Sequence, residues 1–388
     1  MTAQLDEKPV QLSTIAREWG RIGVIGFGGP PAHIVLLRKL CVDDRRWMSP
    51  QDFEDGIAAT NLLPGPASTQ LAIFCAWKLR GRPGAIVGGI CFIAPGLVMI
   101  LCLASLFLAS QPPLWILGAA AGLGAAVPAV AVSAAVSLVP GSWKRTGPSR
   151  ARQIRWAFYF LAGAVAAATV GAFLVLILLL CGLVEVATRN SARSGMNGFA
   201  AAPFSTVPTA GGLGALVWVA LKVGALSYGG GFVIIPLMQH DATDVYHWMT
   251  SAQFLNAVAL GQVTPGPVVQ TVAVVGFAAA GVGGGLLASL VAFTPSFVFV
   301  LLGGPHFDRI RTNTTLQAFL VGAGSAAIGA IAGSSVSLAR ALEERWQFVL
   351  LALSGLWLVA LRRNVVTALL LTGAAGAVAA LAGAPLPH

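Results

Sequence analysis

Long apolar runs alternate with short polar stretches along this chain. No Asp, Glu, Lys or Arg occurs between Arg82 and Lys144, between Asp244 and Asp308, between Arg311 and Arg340, from Arg155 to Glu185, or from Asn364 to the end. A helix needs roughly 20 apolar residues to cross the hydrocarbon of a bilayer. Each of the first two runs holds two crossings, and Gln111-Pro112-Pro113 is a natural turn inside the first. The pattern predicts an all-α, polytopic membrane helix bundle. Residues 156–187 read as one long tilted span or two short ones; the similar C-terminal stretch is split by Arg362-Arg363, which favours two. Residues 188–212 are polar and proline-containing and read as a linker between an N-terminal repeat, 1–187, and a C-terminal one, 213–388.

Composition gives the same solvent. The chain is 56% hydrophobic and 10% charged, with a mean hydropathy of +0.81. A soluble domain carries about 25% charged residues and could not cover its surface with so few. The net charge of +10 sits in short loops between apolar runs, which the positive-inside rule explains better than nucleic-acid binding does. Met1 to Arg21 has mixed charge and lacks the apolar run of a signal peptide. The five cysteines have no C-x-x-C spacing, and four lie in apolar runs as packing residues. His33, His240, His247 and His306 lack ligand spacing, and no Walker, Ser-His-Asp or zinc pattern occurs. Neither an enzyme nor a cofactor is expected, and any transport is passive or ion-driven.

The chain repeats itself. Residues 21–66 align with 222–267 without a gap, and 13 of the 46 pairs are identical, including Gly28/Gly229, Gly29/Gly230, Trp47/Trp248, Met48/Met249 and Pro64-Gly65-Pro66 with Pro265-Gly266-Pro267. Arg21 pairs with Lys222 and Asn61 with Gln262. The offset then slips from 201 to 200, marked by Gly122/Gly322, Gly124/Gly324 and Ser137-Leu138/Ser337-Leu338. Loop charge alternates between the copies. Arg38, Lys39, Arg45 and Arg46 face a stretch with no Lys or Arg in the second copy, whereas Ser110 to Pro113 face Arg309 and Arg311. Basic loops tend to be cytoplasmic, so the copies are expected to be inverted, a recurring plan of secondary transporters.

The paired Pro-Gly-Pro triplets carry the candidate chemistry. Pro64-Gly65-Pro66 interrupts an uncharged apolar stretch, residues 56–77, with basic residues on both sides. Proline removes a backbone donor and glycine adds freedom, so the segment cannot be one helix. Irregular backbone survives at membrane depth only when buried in protein or lining a wet cavity. A hairpin of two half-helices turning at each triplet is expected, with Pro66 and Pro267 at the first position of the second half-helix. The amides that follow lack intrahelical partners and, with the helix dipole, form an anion site in outline. Ser68, Thr69 and Gln70 follow one triplet, Gln270 and Thr271 the other; Asn61, Gln262 and Thr264 precede them. A packing kink is the plain alternative. Gly28-Gly29 and Gly229-Gly230 read as further breaks or as close helix crossings. Arg21 and Lys222 precede them and are either counter-charges for a dianion or interface residues. Asp52, Glu54 and Asp55 read as a solvated helix N-terminus.

Phe27-Gly28-Gly29-Pro30, Trp47-Met48, Asn61-Leu62-Leu63-Pro64-Gly65-Pro66, Gln70 with the Lys78–Gly84 loop, Tyr228-Gly229-Gly230-Gly231 and Gly261 to Pro267 together resemble the chromate ion transporter (CHR) family in its long, two-domain form. The likeness covers about residues 15–140 and 215–340. It implies efflux of chromate, with sulfate as a similar tetrahedral anion, from a bacterial inner membrane protein that confers chromate resistance. A sulfate or other oxyanion transporter, or an anion channel of the same fold, is the alternative. The expected partners are the oxyanion and the lipid bilayer, with a homodimer left open and no nucleic acid.

Overall fold

The computed structural model describes residues 10–60, 63, 65–109, 111–169, 174–190, 212–227, 232–303 and 313–387. Among them, seven α-helices in each half follow one order. The first half has α1 (Leu12–Ile25), α2 (Pro30–Arg38), α3 (Pro50–Thr60), α4 (Ala67–Phe107), α5 (Leu114–Lys144), α6 (Arg150–Thr169) and α7 (Leu174–Asn190). The second has α8 (Leu213–Leu226), α9 (Ile235–Gln239), α10 (Ser251–Val263), α11 (Thr271–Gly303), α12 (Thr314–Arg340), α13 (Arg345–Gly355) and α14 (Val365–Leu381). Among the described residues, four segments are long and apolar enough to cross a membrane: Ala67–Phe107, Leu114–Lys144, Val268–Gly303 and Thr314–Arg340. The stretch expected as one or two spans forms two helices, α6 and α7. Most of the linker, residues 191–211, lies outside the described residues.

The repeat extends to backbone detail. Residues Lys39–Asp44 and His240–Val245 are both π-helical, and each is followed two residues later by a left-handed residue, Arg46 and His247, at φ 50°. α4 and α11 each double back on themselves. The reversals lie at Arg80-Gly81 and Ala280-Gly281, with Gly81 at φ 61°, ψ −150° and Gly281 at φ 63°, ψ −156°. These angles belong to a region open essentially to glycine. The fold-back presses glycines against the opposing arm: a Cβ on Gly88 would lie 2.5 Å from the Ala76 Cβ, and one on Gly276 would lie 2.4 Å from the Gly284 carbonyl. At 1.5 Å per residue the first arm of α4 is about 20 Å long and the second about 39 Å.

α3 lies antiparallel to the first arm of α4. Lys78 Nζ is 3.8 Å from Asp52 Oδ1, and Gly56 sits against the Phe74 ring, 2.5 Å from where its Cβ would be. The triplets fall at the turn. Pro66 and Pro267 are the residues just before the helical turns, with extended ψ of 101° and 134°, one position earlier than the sequence indicates. Their missing N–H groups cost nothing there. The slip in register falls immediately after the triplets. Where the first copy enters an α-helix at Ala67, the second, one residue shorter, takes the tighter 3-10 turn Val268–Gln270.

The halves exchange their last two helices. α6 and α7 pack on α12 of the other half, and α13 and α14 pack on α5. Small residues make the exchange close. A Cβ on Gly329 would lie 1.8 Å from the Phe160 carbonyl, and one on Gly163 would lie 1.9 Å from that of Ala326. Such approach, with Gly329 and Gly333 four apart on α12, is the close-packing device of membrane helices. Gly329→Ala is expected to cost about 1–2 kcal/mol by overpacking, seen as a lower temperature of thermal aggregation in detergent. Gly355→Ala, with open space around it, serves as the control. The outer surface is apolar, with Phe158, Leu290 and Leu302 about two-thirds exposed, while Thr69, Gln70, Gln270 and Ser296 are fully buried. That distribution suits a lipid solvent.

Candidate anion site between the two halves

Glycine at the centre of each triplet is required by its backbone. Gly65 has φ 125° and Gly266 φ 104°, where a Cβ is strained. Each then reaches across to the other half. Gly65 N–H donates to the Ser227 carbonyl at 2.5 Å, and Gly266 N–H donates to the Gly26 carbonyl at 3.1 Å. Since Gly26 and Ser227 are themselves a repeat pair, the two bonds are one contact made twice. The contact is self-complementary, as in a two-fold interface. A further contact repeats in the same way. A Cβ on Gly96 would lie 2.1 Å from the Pro265 carbonyl and 2.6 Å from Gln270 Oε1, while Ser296, at the position matching Gly96, lies beside Gly65.

Those bonds consume the N–H groups of the triplet glycines. The amides left at each helix start are those of the first turn, Ala67 to Thr69 and Val268 to Val269, because Gln70 N–H and Gln270 N–H bond to the carbonyls of Pro66 and Pro267. Two adjoining cavities flank this turn. One of about 380 Å³ is bounded by Gly28, Gly29, Ala67, Ser133, Ser137 and Gln262 among others. One of about 230 Å³ is bounded by Thr60, Gly65, Ala67, Ser137, Ser142 and Arg145 among others. Ala67, Ser137 and Leu138 belong to both. No carboxylate lines either cavity among the described residues. The Gln262 side chain is buried and its Nε2 donor has no partner; the same holds for the Thr69 hydroxyl. An unmet buried donor beside a carboxylate-free cavity favours an anion.

The sequence candidates are distributed as follows. Gly28, Gly29 and Gln262 line the larger cavity and Gly65 the smaller. Pro66, Pro265, Gly266 and Pro267 shape the turns. Gln270 Nε2 donates to the Ile93 carbonyl at 2.7 Å, tying the second triplet to the other half's long arm. Gln70 holds the matching place beside Gly65. Thr264 Oγ1 donates within its own helix to Leu260 at 2.8 Å. Ser68 Oγ lies 3.1 Å from His33 Nδ1. Arg21 is exposed on α1. Lys222 Nζ lies 2.5 Å from Asp241 Oδ2 and 5.7 Å from the Trp218 ring, so its charge is matched locally. Asn61, Pro64, Gly229 and Gly230 lie outside the described residues.

Three residues emerge that sequence reasoning did not select for the site. His33 is fully buried, and its Nε2 lies 2.9 Å from the Gly26 carbonyl. A carbonyl only accepts, so Nε2 carries the proton and Nδ1 accepts from Ser68. The Gly26 carbonyl thus receives both His33 and Gly266. Ser137 forms the shared wall of the two cavities, and Arg145 supplies the cation. A signal existed for both, since Ser137 matches Ser337 and Arg145 matches Arg345 at offset 200. His33 faces Ile234 in the alignment and gave none.

Comparison with known proteins gives the family. The sequence profile of the family described as chromate transporter matches residues 13–186 and again 214–381. The chain belongs to the chromate transporter family. It is therefore a multi-pass membrane protein and a secondary transporter rather than an enzyme. It is 33% identical over 332 residues to the chromate transport protein of Cupriavidus metallidurans, covering 82% of this chain and 80% of that one. It is 29% identical over 339 residues to the probable chromate transport protein of Synechococcus elongatus, covering 85% of both. It is also 29% identical over 364 residues to the chromate transport protein of Pseudomonas aeruginosa, covering 89% of this chain and 85% of that one. No solved structure matches the chain significantly.

Proposed function

We propose that this transporter exports chromate across the bacterial inner membrane, through a site built where the two Pro-Gly-Pro turns meet. The observation that carries this reading is the pair of cavities flanking the first helical turn after Pro66, lined by no carboxylate among the described residues, the larger walled by Gln262, Gly28 and Gly29. First-turn amides and buried neutral donors stabilise an oxyanion without binding a cation. The names of the relatives supply chromate as the tetrahedral anion; sulfate has the same shape and charge and is the natural competitor.

The transport units are residues 1–187 and 213–388, joined by 188–212, and they run in opposite directions through the bilayer. In support, the loop charges alternate and the contacts between copies are reciprocal. Each triplet is the tip of a re-entrant hairpin. The Asp52–Lys78 pair holds both stems of the first at one level, and an arm of about 20 Å is too short to cross roughly 30 Å of hydrocarbon. With the interior negative, outward movement of a dianion is favoured by about 4–5 kcal/mol per 100 mV, so export needs no ATP.

Everted membrane vesicles containing the protein should accumulate radiolabelled chromate, with sulfate inhibiting and with loss of uptake when the potential is collapsed. Absence of uptake of either anion would sink the proposal. Gln262→Leu removes the unmet donor at constant bulk; uptake efficiency is expected to fall about ten- to hundredfold, the scale of a hydrogen bond to a charged group. Unchanged uptake would remove Gln262 from the site.

A further inference from the structure

We propose that the smaller cavity is a separate anion-capture site, with Arg145 as its charged recognition residue. The inference rests on the proposed export of an oxyanion and adds to it the place where the anion first docks. Arg145 is the only charged residue lining either cavity among the described residues. It forms no ion pair with any described carboxylate, whereas Arg155 and Arg189 share Glu185, Arg45 is held by Glu18 and Lys222 by Asp241. An unpaired guanidinium on the wall of a cavity is a ready oxyanion ligand, because its planar fork matches two oxygens at once.

The cavity has the room that capture needs and adjoins the larger one. Its volume of about 230 Å³ compares with about 30 Å³ per water molecule in the liquid, so an anion can enter with part of its hydration shell. It shares Ala67, Ser137 and Leu138 with the larger cavity. These three residues are the common wall between the cavity at Arg145 and the chamber at Gln262. Arg145 also lies at the start of the basic stretch Lys144–Arg155, which the positive-inside rule places in the cytoplasm. An exporter collects its substrate on that side. The matching stretch of the second copy holds Arg340, Glu343, Glu344 and Arg345, which balance in charge, so it offers an anion no excess of cation. The excess of positive charge beside a cavity therefore belongs to the first copy, and capture is confined to it.

The test compares full-length Arg145→Gln, Arg145→Lys and Lys144→Gln in everted vesicles, with equilibrium binding of radiolabelled chromate to the purified proteins. Lys144→Gln removes the same charge from the adjacent position, the last residue of α5, without touching either cavity wall. If Arg145 captures the anion, Arg145→Gln raises the KM about tenfold, the scale of one lost charge-assisted hydrogen bond, with little change in maximal rate. It also weakens the dependence of KM on salt. Arg145→Lys, which keeps the charge and loses the fork, lies between, and Lys144→Gln matches the unaltered protein. Equal KM and chromate binding in Arg145→Gln and the unaltered protein would overturn the capture site alone. So would a fall in maximal rate at constant KM, or equal effects of Arg145→Gln and Lys144→Gln, which would assign Arg145 to topology. Failure of the unaltered protein to bind or transport either chromate or sulfate would instead overturn the export reading on which the site depends.

Discussion

Gly65→Ala should reduce chromate uptake at least about hundredfold, the penalty that a displacement of about 1 Å can impose on a positioned site, while leaving the protein in the membrane. Two effects add. At φ 125° the backbone resists any Cβ, at about 1–3 kcal/mol. The added methyl would also lie 2.4 Å from Gln70 Nε2 and 3.2 Å from Ser296 Oγ, so the buried glutamine and the serine must both give way. The strain is relieved by moving the turn, which breaks the bond from Gly65 N–H to Ser227 and shifts the first helical turn that faces both cavities. Shortening the obstacle in Gly65→Ala/Gln70→Ala removes the clash and keeps the strained φ, so only part of the uptake returns. Gly283→Ala, a helical glycine with open space around it, should transport normally. Near-normal uptake by Gly65→Ala would show that the triplet is no part of the site.

Glu185→Ala should destabilise the protein by about 2–3 kcal/mol, below the about 3–5 kcal/mol of a fully buried pair, because its arginines keep some contact with solvent. The carboxylate is 2% exposed and accepts from Arg155 Nε and Arg189 Nε, each at 2.8 Å, with Tyr159 Oη at 3.3 Å. Its removal leaves two guanidiniums, 28% and 30% exposed, facing each other at the foot of α6 and α7. Alanine keeps the Glu185 Cβ that packs near Gly322 of α12, so the loss is confined to the carboxylate arm. Thermal aggregation in detergent is the readout, and added salt should narrow the difference by screening the arginines. Replacing all three charged residues with methionine should cost less than the single change, because no charge is then left uncompensated. A single variant as stable as the parent would mean that the cluster is solvated in the membrane.

Much of this architecture is legible in the sequence because it is encoded locally. Charge-free runs mark α4, α5, α11 and α12, and the triplets mark where helices must stop. The repeat register passes unchanged into the backbone, where Arg46 and His247 share one rare conformation. What is not legible depends on contacts between distant residues. The reversal at Ala280-Gly281 lies in a run of alanine and glycine with no polar punctuation, so only the packing of Gly276 on Gly284 reveals it. The exchange of the last two helices between halves leaves no trace in either half's own pattern. The site divides in the same way. Glycines and prolines announce themselves through the conformations they permit. The cations do not: Arg21, Lys222 and Arg145 all recur between copies, and only the fold shows that one is on an outer face, one is held by a carboxylate and one opens on a cavity.

The exchange of α6 and α7 for α13 and α14 has a bearing on how the duplicated gene could have become one chain. Each half leaves the flank of its own fifth helix bare and completes the flank of its sister's. Expressed alone, neither would have a finished surface. The halves are thus units of descent without being units of folding, and an ancestor carrying one copy must have met a second copy to be whole. Fusion through a polar tether then fixed a partnership that the interlocked helices already required, and it freed the two copies to diverge in charge.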